Sequence, residues 1–381
     1  MAQSQMTSID DFVENPVILG DKPKEIIIPY TRELKIAELT VQRAVLATKR
    51  VLGADRSSGM DKDDDTPVTI GDLAAQALII SALHHAFPED TFLGEETAKM
   101  LRDDDVLAGK VWALVRTTHL DIPENDRLEE DFLATPGSKE EMMDLIDLGM
   151  GEGFGKKKEG RIWVMDPIDG TLTFMRGQQY AVCLCLLEDG EQKVAVLGCP
   201  NLSLDHLPIT ENTVSKEGGY LVSANAGCGV TLRRISSGEL QPAKRAVSRG
   251  VFKPLGQLGN IEALESKSMD HVKNKMVAAK LGISWPGVDI WSQQMKYVAM
   301  AVGGHDAMVR IPVNEGHRSA LWDHAGGHLL AEEMGIKITD VEGKEIDFGE
   351  GRRFYKNRGN VAAPVALHAQ VLKAVQEVME S

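Results

Sequence analysis

Trp163-Val164-Met165-Asp166-Pro167-Ile168-Asp169-Gly170-Thr171 is the stretch from which the rest of the chain can be read. Ile162 to Met165 is a compact apolar run that breaks abruptly at Asp166-Pro167, as expected of a buried strand that delivers Asp166 at its carboxyl end. Pro167 has no N–H for a neighbouring strand and is expected to end the ladder. Gly170 lets the backbone turn closely under whatever binds there. Two carboxylates three positions apart on a tight turn can converge on one point, where their repulsion is costly unless a cation sits between them. A donor set made only of oxygen favours magnesium, calcium or manganese over zinc. On these residues alone a bland surface turn stays open.

Upstream, Leu34, Ala37, Val41, Ala44 and Val45 recur at helical spacing within a helix expected over Thr31–Leu52. A loop is expected over Ser57–Thr66, then a helix from about Asp72, with Leu73, Ala77 and Ile80 on one face, stopping before Pro88. Thr91–Gly94 reads as a short strand running into Glu95 and Glu96. Residues 97–158 are acidic and irregular, and read as a surface insertion with helix around Lys139–Leu148. Downstream, apolar runs flank Asp189-Gly190, a strong hairpin signal. Further strands are expected at Gly218–Ser223, Ala246–Ser248 and Ala307–Ile311. Helices are expected at Asp270–Leu281, Gln294–Val302, His324–Met334 and Val361–Met379. Strands and helices mix without regular alternation, which suits an α+β or layered α/β architecture better than a simple doubly wound sheet.

Composition bounds the function. The 381 residues are 43% hydrophobic and 26% charged, an ordinary globular balance. A formal charge of −15 argues against a nucleic-acid polymer as partner, since phosphate backbones need a basic surface. A small phosphorylated ligand is still compatible, because carboxylates that hold cations present it with a locally positive site. No apolar run approaches the roughly 20 residues of a spanning helix. Met1–Asp11 lacks the basic and apolar segments of a secretory signal. Four cysteines are too few for a disulfide framework in this length. A cytoplasmic protein, with a monomer favoured, is the expectation.

Asp166-Pro167-Ile168-Asp169-Gly170-Thr171 after an apolar strand resembles the first signature of the inositol-monophosphatase superfamily. Trp322-Asp323-His324-Ala325-Gly326-Gly327 looks like its second, and Gly94-Glu95-Glu96 like its third element, all in the family's order. The resemblance implies a layered α-β-α-β-α sandwich of the sugar-phosphatase type and magnesium-dependent phosphatase chemistry. It implies that Glu95, Asp166 and the carbonyl of Ile168 hold one Mg2+, and that Asp166, Asp169 and Asp323 hold a second. A third, looser ion is implied near Glu95, with inhibition by Li+. Asp72 and Thr171 would polarise the attacking water, and Thr171 and Asp323 would also meet the substrate. Asp323, opening a helix, is expected to bring backbone N–H groups toward a phosphate, with Ala325, Gly326 and Gly327 permitting close approach.

Phe174 to Val182, Gly198-Cys199-Pro200-Asn201 and Gly218-Gly219-Tyr220 resemble the bisphosphate-nucleotidase branch of that superfamily. The implied substrate is adenosine 3′,5′-bisphosphate or its 5′-phosphosulfate relative. Lys296 and Gln293 fall in the segment that would hold its phosphate and sugar, and Arg310 matches an arginine beside the nucleotide. Two departures stand out: Met269 occupies the apparent place of a histidine, and Gln293 that of a serine. An inositol polyphosphate 1-phosphatase or inositol monophosphatase is the alternative enzyme, and a catalytically silent metal or nucleotide sensor the alternative of another class.

The expected organisation is a polar tail (1–24), an N-terminal α+β domain (25–205) with the acidic insertion 97–158, and a C-terminal α/β domain (206–381) completing the site. His324 and His328, four apart on a helix, read as a structural pair rather than zinc ligands. Cys183 and Cys185 read as core, and Trp163 and Trp322 as packing residues.

Overall fold

The computed structural model describes residues 28–58, 70–122, 132–151, 159–247 and 253–381. The tail expected at 1–24 and the loop expected beyond residue 58 lie outside them. Two long helices, α1 (Thr31–Ser58) and α2 (Ile70–Ala86), lead into a seven-stranded sheet. Its strands follow chain order: β1 (Thr91–Gly94), β2 (Arg161–Asp169), β3 (Ala181–Glu188), β4 (Glu191–Cys199), β5 (Tyr220–Asn225), β6 (Val230–Arg234) and β7 (Lys244–Arg245). β1 and β2 are parallel and the remaining neighbours antiparallel. β3 and β4 are joined through Asp189 and Gly190, both at positive φ, the hairpin geometry that this dipeptide favours.

Helices α3 (Lys99–Asp103), α4 (Asp105–Thr117) and α5 (Lys139–Leu148) lie between β1 and β2, and α6 (Thr171–Arg176) follows β2. The second sheet has five strands in the order β11-β12-β10-β8-β9. They are β8 (Asn260–Glu262), β9 (Val288–Asp289), β10 (Ala307–Arg310), β11 (Ile336–Thr339) and β12 (Asn360–Pro364). Its helices are α7 (His271–Leu281), α8 (Gln293–Ala301), α9 (Ala325–Glu333) and α10 (Val365–Met379).

Alternation along the strands explains the layering. Val182, Leu184, Leu186, Val194 and Val196 pack on α1 and α2, while Ala181, Cys183, Ala195 and Leu197 face α8 and α9. The other side of α8 and α9 meets Ile261, Met308, Ile336, Ile338 and Ala362 of the second sheet. Ala307, Val309, Val361 and Ala363 face outward onto α7 and α10. The result is helix, sheet, helix, sheet, helix: the five-layered α+β sandwich expected.

Some expectations are corrected. The described part of the acidic insertion is less irregular than expected: Ala108, Val111, Val115, Met142 and Ile146 form an apolar stripe over Leu73, Ala74, Ala77 and Leu78 of α2, while its carboxylates stay mostly exposed. That cover explains a helix apolar all round, since both its faces are buried. Val361–Met379 is not one helix, because residues to Pro364 form β12, inside the second sheet. A strand occurs at Lys244–Arg245 instead of starting at Ala246.

Candidate active site

β2 does not end at Asp166. Asp166 pairs with Cys183 and Asp169 with Ala181, so three steps on β2 match two on β3. The bulge holds Pro167, which has no N–H to contribute there. It also corrects parity. Residues three apart on a regular strand point to opposite faces, whereas the extra residue lets both carboxylates line one cavity of about 450 Å³. Gly170 follows at φ 92°, where a Cβ would come within 2.9 Å of Ser292. The turn passes against the start of α8.

There Asp169 is received by the helix. Gln293 N–H donates to its Oδ1 at 3.3 Å, Gln294 N–H to its Oδ2 at 2.6 Å, and the Ser292 hydroxyl also to Oδ2. An anion at a helix N-terminus is favourably placed. The side chain of Gln294 continues across the site: it donates to Trp322 O at 2.7 Å and accepts from Gly327 N–H at 2.6 Å. The roles of Ser292 and Gln294 are not legible in the sequence, since they depend on elements brought together from a distance.

Glu95 follows directly on β1. The parallel register pairs Gly94 with Met165, which brings Glu95 beside Asp166. Gln76 of α2 steadies this loop, donating to Glu96 O at 2.8 Å and accepting from Glu96 N–H at 3.0 Å. Asp72, one turn earlier on α2, is 2% exposed. It does not line the cavity, yet its charge acts on both Glu96 and Asp166. Asp323, just before α9, closes the group.

These carboxylates are costly together. Burial and then the charge of Asp323 push Glu95 up to about 8. Burial and the charge of Asp169 push Asp323 up to about 7. Asp166 is raised by burial and by Glu95, and Asp169 by burial, against which Ser292 and Gln294 act. Glu96 rises to about 7 through burial and Asp72.

Lys296 and Arg310 line the same cavity. Gln293 Oε1 accepts from Arg310 Nη1 at 3.2 Å and lies 3.4 Å from Lys296 Nζ, while Arg310 Nη2 donates to Ser268 Oγ at 2.9 Å. Burial, and then Arg310, lower Lys296 to about 8. Ser266, Met269, Ala263, Trp291 and Leu172 complete the lining. Thus Glu95, Asp166, Ile168, Asp169, Thr171, Gln293, Lys296, Arg310 and Asp323 all meet at one cavity. Thr171 Oγ1 donates to Ile168 O at 3.3 Å.

The donor set fits hard divalent cations: carboxylates and one carbonyl, buried and mutually repelling, without a soft ligand among them. Among the described residues no three His, Cys, Asp or Glu side chains are already closed around a single point, so the donors border the cavity rather than clench one position.

The helix after Asp323 departs from expectation. α9 begins at Ala325, and N–H groups at its start already have protein partners: His324 and Ala325 donate to Leu321 O, and Gly327 to Gln294. The glycines serve packing, because a Cβ on Gly326 would lie 2.7 Å from Leu197 and one on Gly327 2.6 Å from Tyr297. His324 Nδ1 lies 2.8 Å from the Tyr297 hydroxyl, deep in the core, as a structural histidine would.

The sequence profile of the inositol monophosphatase family matches residues 117–380. A 3′(2′),5′-bisphosphate nucleotidase of Emericella nidulans is 41% identical over 357 residues, covering 92% of this chain and 99% of that protein. A protein of the same name from Schizosaccharomyces pombe is 34% identical over 354 residues, covering 92% and 96%. Among solved structures, the extragenic suppressor protein SuhB of Bartonella henselae matches with a TM-score of 0.56 at 16% identity, covering 91% of this chain and 99% of that one. SaIMPase-II bound to 2′AMP matches with a TM-score of 0.52 at 16% identity, covering 90% and 96%. These two show the fold.

Proposed function

The chain belongs to the inositol monophosphatase family, and from that premise we propose that it hydrolyses the 3′-phosphate of adenosine 3′,5′-bisphosphate to AMP and phosphate. The 5′-phosphosulfate relative is a second substrate in this reading. The observation that carries it is one cavity lined both by buried carboxylates and by Lys296 and Arg310. The identity to bisphosphate nucleotidases along most of the chain supports the nucleotide over a sugar phosphate.

Glu95, Asp166 and the Ile168 carbonyl would hold one Mg2+; Asp166, Asp169 and Asp323 would hold a second, with a third, looser ion near Glu95. Bound magnesium supplies neutralisation of the phosphoryl charge and acidification of a water. Asp72 and Thr171 would polarise the attacking water, Thr171 from the cavity lining and Asp72 from behind it. Lys296 and Arg310, tied by Gln293, hold the nucleotide's other phosphate, and so fix which phosphorus meets the carboxylates. Met269 and Trp291 offer the base and sugar apolar surface.

All these groups come from one chain, so a monomer suffices. No described helix is long and apolar enough to cross a membrane, and four free cysteines suit a reducing compartment such as the cytoplasm.

The test is phosphate release with Mg2+ from adenosine 3′,5′-bisphosphate, inositol 1,4-bisphosphate and inositol 1-phosphate at equal concentration. The adenosine compound should win by orders of magnitude in kcat/KM. If an inositol phosphate wins, the phosphatase stands and the nucleotide reading falls. Lithium, able to enter a magnesium site without matching its charge, should inhibit; full activity at millimolar Li+ would count against that part.

A further inference from the structure

Arg352 does not line the cavity, yet it joins the two segments that carry Glu95 and Asp323. Its Nη2 donates to Gly94 O at 2.9 Å, and its Nη1 to Gly149 O at 3.1 Å and Met150 O at 3.2 Å. The guanidinium lies over the Trp322 ring, with Cζ 4.6 Å from the ring centre. Its own carbonyl accepts from Leu321 N–H at 3.0 Å. The side chain therefore grips the residue before Glu95, while its flat face and main chain grip the two residues before Asp323.

We propose that Arg352 is a positioning residue for cation binding, setting the separation of Glu95 from Asp323 by fixing Gly94 to Leu321 and Trp322. The inference rests on the reading of Glu95 and Asp323 as magnesium ligands. The two carboxylates come from different layers, one at the end of β1 and one ahead of α9. The charge of Asp323 acts directly on Glu95, so the two carboxylates repel whenever both are ionised, as cation binding requires. A tie is needed at the backbone on which each is mounted, and Arg352 supplies it from behind.

Only a guanidinium serves this position. Its planar fork meets several carbonyls at once while its face stacks on an aromatic ring, which a compact ammonium cannot do. Gln76 holds the same loop from the α2 side, through Glu96, but has no link to Asp323. Arg352 alone among the described residues donates to Gly94 O and also rests on Trp322.

The test is Mn2+ binding to the metal-free full-length protein, by calorimetry, for wild type, R352Q, R352K and E95Q. R352Q should weaken binding by roughly tenfold or more, the usual effect of removing a residue that orients a metal ligand. R352K, which keeps the charge without the fork, should not restore it. The Mg2+ concentration for half-maximal activity should rise in parallel, while kcat at saturating Mg2+ stays within about twofold. A lower metal-free Tm with unchanged Mn2+ affinity would overturn the proposal, leaving Arg352 a purely structural residue. Should R352Q not fold, R352K carries the same comparison. E95Q separates the two levels: if it too binds Mn2+ normally, it is the metal-ligand reading that fails.

Discussion

The backbone N–H of Gln294 donates to Oδ2 of Asp169 at 2.6 Å, across 125 positions of sequence. The same residue's side chain holds Trp322 O and Gly327 N–H. One buried glutamine thus connects the bulged turn to the segment carrying Asp323. The consequence is that the site's geometry depends on α8, an element that contributes no carboxylate.

Replacing Gln294 with Leu leaves two buried backbone groups without partners. Each should cost about 1–3 kcal/mol, so Q294L should lower the urea midpoint sharply. It should also weaken Mg2+ binding in whatever protein remains folded. Unaltered stability would mean that solvent or another group replaces the amide.

Asp72 is buried beside the metal-binding candidates without lining the cavity. D72N keeps its shape and removes its basicity. Turnover should fall by orders of magnitude, with circular dichroism and Mg2+-dependent Tm little changed. Unchanged turnover would remove Asp72 from the proposed mechanism.

The raised carboxyls set a pH dependence for the metal-free protein. A group whose folded pKa exceeds its unfolded value stabilises the fold while protonated, and that contribution is lost as pH rises through the folded value. For Asp323 and Glu95 these values are about 7 and about 8. Metal-free Tm should therefore fall from about pH 5 to about pH 8 and level off above it, and the gain in Tm from Mg2+ should grow over the same range. Mg2+ binding near pH 6.5 should release protons, seen as a binding enthalpy that varies with buffer ionisation enthalpy. A pH-independent gain would contradict the coupling.

Lys296 should limit the alkaline side. Lowered to about 8 by burial and Arg310, it loses its charge above that pH in the free enzyme. KM should rise as pH climbs past about 8, while kcat changes less, since an anionic substrate favours the charged form. In K296M, KM should be high throughout and this limb absent. If the limb persists in K296M, another group carries it.

Much of this site was legible in one dimension. The Asp166–Asp169 turn after an apolar strand was a local signal that left a surface turn open, and it was the resemblance to the family's motifs that added Glu95 and Asp323. The five-layered sandwich followed from the family those motifs resemble. Other features were not legible. The bulge at Pro167 and Ile168 becomes visible only when β3 is laid beside β2. The apolar stripe of the acidic insertion was masked by its carboxylates until α2 was seen to need a cover.

The sequence by itself determined which side chains offer hard oxygen donors, because that chemistry belongs to the residue type and survives any change of surroundings. Tertiary structure decided where those groups point and what each costs. Ser292, Gln294 and Arg352 act through atoms contributed by residues far away in the chain, and pKa shifts arise from burial and neighbours. Neither quantity exists before the layers close.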